Sequence, residues 1–133
     1  MRAGMNAHMG LCHALVMPLS AIYNIPHGQA CGMVLPHVLA YNEEADKMKV
    51  TNIFRTLDFF EAEADTPFTN AGSYQKFNAL LDEVGIRARL TDFGYSEDHM
   101  QTIVHETLNS VQCQFNPRKT SEEDIIGIVK KMI

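Results

Sequence analysis

Alternation of β-branched with polar residues never lasts more than a few positions in this 133-residue chain. That lack constrains the fold more than any other feature, because a half-buried strand needs a two-residue period. Apolar residues recur instead at three- and four-residue steps. Residues 5 to about 20 are rich in Ala, Leu and Met, good helix formers. GQACGMVLPHVLAYNEEA, residues 28–45, predicts a second apolar helix bent at Pro36, whose ring conflicts with the carbonyl four residues back. ADKMKVTNIFRTLDFF, residues 45–60, predicts a more amphipathic third helix, and DTPFTNAG, residues 65–72, a loop.

The second half continues the pattern. In SYQKFNALLDEVGI, Tyr74, Phe77, Leu80, Leu81 and Val84 share a face, and Gly85 suits a C-terminal cap. Ser96 is the expected N-cap of the next helix, which carries Met100, Ile103, Val104 and Leu108. For the last helix, Thr120 and Glu123 spell a capping box ahead of Ile125, Ile128, Val129 and Met132. The chain therefore reads as one all-α domain over residues 1–133 with five to seven helices.

Composition narrows the function classes. A net charge of −5, from 16 acidic and 11 basic residues with no basic block, argues against a nucleic-acid groove or an anionic membrane surface. No apolar run approaches the roughly 20 residues that span a bilayer, and MRAGMNAHMG has no apolar core of signal-peptide length, so a cytoplasmic protein is expected. Cys12, Cys31 and Cys113 are odd in number and widely spaced, which favours reduced, buried thiols without function over a disulfide framework.

HALVMPLSAIYNIPHG, residues 13–28, poses the main question of function. On one continuous helix His13 and His27 would stand about 21 Å apart, too far to share an ion. If the helix stops near Ser20, weakened by Pro18, the intervening loop is long enough for His27 to reach back to His13. Geometry permits a shared metal without demanding one; two hydrogen-bonded core histidines satisfy the same spacing. His8, His37, His99 and His105 read as ordinary polar residues rather than ligands, and His99 and His105 lie on a polar, solvated face with Asp98 and Glu106.

MGLCHAL, then PLSAIYNIPHGQACGMVLPHVLAYN, resembles the signature of the iron-containing alcohol dehydrogenases. Members of that family typically read G-x-x-H-A-x-x-H-x-L-G, a short gap, P-H-G, and L-P-x-V-x-x-x-N. The closing LLDEVGI and NPRKTSEEDIIGIV are similar to the family's C-terminal end as well. The resemblance implies the family's helical C-terminal domain, of the fold shared with dehydroquinate synthase. It also implies that the N-terminal nucleotide-binding domain is absent, and the chain has no glycine-rich phosphate loop.

By the same resemblance the metal is Fe²⁺ or Zn²⁺, held by one Asp and three His. His13 and His27 correspond to the last two of these ligands, and the other two belong to a helix not present here. Met17 stands where the family usually places a further histidine near the nicotinamide, and a thioether cannot relay a proton. Gly28 is expected to let the backbone turn closely beside the site. The implied chemistry of a complete parent is hydride transfer between a small alcohol and NAD(P), the metal acting as Lewis acid. This chain alone is expected to be inactive and not to bind NAD(P).

Two other readings stand beside this one: a zinc-dependent relative of glycerol dehydrogenase, which PHGQACG also resembles, and a non-catalytic helical module. Helices 5–20 and 28–45 are apolar nearly all round. Their Met5, Met9, Leu11, Leu15, Val16 and Leu19, then Met33, Val34, Leu35, Val38 and Leu39, predict uncovered surface and a homodimer.

Overall fold

A computed structural model describes residues 9–63, 65, 66, 68–86 and 88–133. Among these residues there are six α-helices and no strand, only an isolated bridge between Thr66 and Thr69. The helices are α1 (Gly10–Tyr23), α2 (His27–Glu43), α3 (Lys47–Thr56), α4 (Ala71–Glu83), α5 (Met100–Asn109) and α6 (Glu122–Lys130). Short 3₁₀ turns at Leu90–Phe93, Glu97–His99 and Val111–Phe115 connect the later ones. None is long and apolar enough to cross a membrane.

The expected start of the first helix, residues 5–8, lies outside the described residues. Its end differs from expectation. α1 passes through Pro18 and Ser20 and stops at Tyr23, where Asn24 takes the left-handed conformation (φ 53°, ψ 35°) that ends helices. α2 likewise continues through Pro36. Both prolines are buried within their helices, so tertiary packing holds the helical path against the roughly 3 kcal/mol that an interior proline costs.

α1 is the centre of the main core and packs on α2, α5 and the 111–115 turn. Leu11, Leu15, Val16, Leu19, Met33, Val34 and Val38 are all at most 4% exposed. Leu35 and Leu39 pack on a second, smaller core of Val50, Phe54, Phe77 and Leu81 between α3 and α4. Among the described residues, the uncovered apolar surface expected on the first two helices is small: later helices and turns cover most of it, leaving Met9 and Met17 exposed. The apolar surface that motivates a homodimer is thus confined to a few side chains among the described residues.

The last helix also corrects its expectation. Ser121, not Thr120, is the N-cap: its hydroxyl accepts from the Asp124 amide at 3.2 Å, and its own amide donates to Asp124 Oδ2 at 2.9 Å. Thr120 instead donates its hydroxyl to the Arg118 carbonyl. The helix begins one residue later than the T-x-x-E pattern placed it. Gly85, at φ +68°, lies just past α4 as expected. Ser96 caps the 3₁₀ turn that leads into α5, accepting from the Asp98 amide at 3.3 Å.

Candidate metal centre

His13 lies one turn into α1, on the face that also carries Met9 and Met17 at four-residue spacing. The opposite face, Leu11, Ala14, Leu15 and Leu19, is in the core. That division leaves His13 half-buried and Met17 54% exposed. His27 is the first residue of α2 and is exposed. Between them the chain reverses at Asn24 with Ile25, 3% exposed, pinned into the core and Pro26 as the N-cap of α2.

This tight hairpin brings the two imidazoles together, centroids 5.0 Å apart and planes at 70°. Two imidazoles bound to one tetrahedral ion at about 2.1 Å have their centroids about 5 Å apart, so the spacing fits a shared ion. Burial, and then the charge of His27, lower the pKa of His13, which favours the neutral imidazole that a metal needs. Among the described residues no third His, Cys, Asp or Glu joins them in a group able to hold a metal.

The thiols nearby do not offer themselves as ligands. Cys12 and Cys31 are half-buried free cysteines, Cys113 a buried one. Burial, with the Cys31 charge adding to it, pushes the Cys12 thiol up to about 12, and burial raises Cys31 and Cys113 too. Gly28 differs from its expected role: it lies inside α2, and a Cβ added there would meet nothing within 4 Å. Among the described residues, no close backbone approach demands glycine at that position.

Of the remaining histidines, those among the described residues do not join the pair in a metal-holding group. His99 and His105 are exposed, as their polar face predicted. His99 nonetheless rests on Tyr23, its Nδ1 3.3 Å from the phenol oxygen, and His105 meets Asn109 and Glu106. His37 lines a cavity of about 630 Å³ between α2, α4 and the C-terminal residues, on the far part of α2 from His27. His8 lies outside the described residues.

LAYN and NPR, in sequence only marks of likeness, meet in the fold. Asn42 and Asn116 exchange reciprocal amide hydrogen bonds at 3.0 and 2.7 Å. Arg118 lies 4.0 Å over the Tyr41 ring, donates to the Tyr41 carbonyl and pairs with Glu44 at 2.9 Å. No spacing rule could have found contacts between segments so far apart in the chain.

Comparison with known proteins agrees with this architecture. A profile described as "Fe-containing alcohol dehydrogenase family, C-terminal" matches residues 1–133. Lactaldehyde reductase of Escherichia coli K12 is 32% identical over 123 residues, which is 92% of this chain and 32% of that protein. 1,3-Propanediol dehydrogenase of Klebsiella pneumoniae is 30% identical over 130 residues, 95% of this chain and 33% of that protein. The solved structure of an alcohol dehydrogenase from Oenococcus oeni superposes with a TM-score of 0.85 at 26% identity, covering 98% of this chain and 34% of that one. The chain thus spans about a third of the length of the relatives it matches.

Proposed function

Because this chain belongs to the Fe-containing alcohol dehydrogenase family, we propose that it is the helical, metal-binding part of an NAD(P)-dependent alcohol dehydrogenase. In this reading His13 and His27 are two of the protein ligands, and the rest of the site comes from parts that this chain does not contain. The observation that carries it is the ring pair at 5.0 Å, held by the hairpin between α1 and α2.

The family's iron, or zinc in its place, would supply Lewis-acid polarisation of a substrate oxygen during hydride transfer between an alcohol and NAD(P). The chain's own residues have simpler tasks. His13, on a helix fixed in the core, offers a ring nitrogen in a set direction, and His27 offers the second from the first turn of α2. Met17, exposed on the His13 face, can neither give nor take a proton. The proton path therefore runs through another group.

The named relatives, a lactaldehyde reductase and a 1,3-propanediol dehydrogenase, support a small alcohol or aldehyde as substrate class. The isolated chain is expected to turn over neither. Assay of the purified chain with 1,2- and 1,3-propanediol and each nicotinamide cofactor, before and after adding Fe²⁺ or Zn²⁺, tests this. Turnover above a heat-killed control would contradict it.

A further inference from the structure

We infer that Asn116, locked to Asn42, is a positioning residue for His13; its functional meaning rests on the metal reading above. α1 starts at Gly10 with no side-chain cap of its own and no acidic residue in its first turn. Helix-initial amides need partners from elsewhere, and here they come from a segment about a hundred residues later. The Met9 amide donates to Gln112 Oε1 at 2.8 Å, and the Leu11 amide to Asn116 Oδ1 at 3.3 Å. Asn116 thus caps the helix in trans, two residues before His13.

What fixes Asn116 is the other end of α2. Its Oδ1 accepts from Asn42 Nδ2 at 3.0 Å, and its Nδ2 donates to Asn42 Oδ1 at 2.7 Å and to the Arg118 carbonyl at 2.9 Å. With both amide ends bonded, the side chain cannot flip or swing without losing several hydrogen bonds. Asn42 lies in the last turn of α2, whereas His27 opens the helix. α1 is therefore tied to α2 at two places: the covalent hairpin at Asn24 and this amide clamp at its start. His13 lies between the ties, so the clamp sets the tilt and rotation that bring its ring to His27.

The test is the nuclear Overhauser cross-peak between the His13 and His27 ring protons in the isotopically labelled chain, read alongside Co²⁺ affinity by calorimetry. Asn116→Ala is expected to keep the core methyl dispersion of Leu15, Val34 and Ile103, to lose the cross-peak, and to bind Co²⁺ about tenfold more weakly. Asn116→Asp, which keeps an acceptor for the Leu11 and Asn42 groups, is expected to retain at least half the cross-peak. A folded Asn116→Ala chain with the wild-type cross-peak overturns the inference. Should that variant fail to fold, Asn42→Ala decides: a weakened cross-peak supports the clamp and an unchanged one overturns it. A wild-type chain that shows the cross-peak yet binds no Co²⁺ overturns the metal reading alone, and the clamp is then judged on the cross-peak.

Discussion

Gly32 on α2 faces Ile86 so closely that a Cβ at position 32 would overlap the Ile86 Cγ2 methyl. Ile86 belongs to the segment just after α4 and packs on the smaller core, so the glycine lets that core close against α2. Gly32→Ala should destabilise the fold by about 1–3 kcal/mol, the usual cost of overpacking, although alanine is the better helix former. Ile86→Ala removes the offending methyl. The double variant should therefore be more stable, by urea denaturation, than the sum of the single effects predicts. Simple additivity would show that the two side chains do not compete for the same space.

Gly10 meets two demands at once. Its φ is +65°, and a Cβ there would lie 3.3 Å from Asn116 Oδ1. Gly10→Ala should cost about 1–2 kcal/mol from the left-handed backbone alone. It should also disturb the Leu11–Asn116 hydrogen bond, visible as faster hydrogen exchange of the Leu11 amide. A variant as stable as the wild type would contradict the described start of α1.

These two glycines show where the sequence was legible and where it was not. Helix content, the fold class and the polar placement of His99 and His105 followed from periodicity. The boundaries did not. T-x-x-E and S-x-x-D stand one residue apart before α6, both are plausible caps, and the structure uses the second, Ser121 with Asp124. Pro18 reads as a weak point and Pro36 as a bend because local strain is visible in a sequence, whereas the burial that overrides it is not. The spacing of His13 and His27 allowed a meeting, but the hairpin that makes it depends on the left-handed Asn24.

Asp65 makes stability pH-dependent. It is 1% exposed. Burial alone would raise its pKa, but hydrogen bonds from the Ser73 hydroxyl and the Glu61, Gly72 and Ser73 amides outweigh it and hold the carboxyl below its usual value. A carboxyl whose folded pKa is depressed stabilises the fold above its unfolded pKa, near 4, and loses that contribution as pH falls through the folded value. Asp65→Asn should therefore lower stability by about 1–3 kcal/mol at pH 7. The gap to wild type should shrink as the pH is lowered below about 4. A gap that stays constant from pH 7 to pH 3 would show that the charge contributes nothing.

Met17 is exposed one turn beyond His13, so its replacement should not trouble the core. Met17→His, which restores the residue that the family resemblance expects, should change stability by less than about 0.5 kcal/mol in thermal denaturation. A large loss would mean that the thioether packs against something within this chain.

A shared metal site requires His13 and His27 to reach one ion. The most direct measurement is a Co²⁺ titration of the chain followed by the ring signals of all its histidines. Both His13 and His27 should shift or broaden together, saturating at one ion per chain, while His99 and His105 respond far less, and chelator should reverse the change without unfolding. His13→Ala or His27→Ala should each abolish the saturable response of the remaining partner. Independent responses of the two rings, or a response from His99 or His105 at lower Co²⁺ than either, would contradict the shared site.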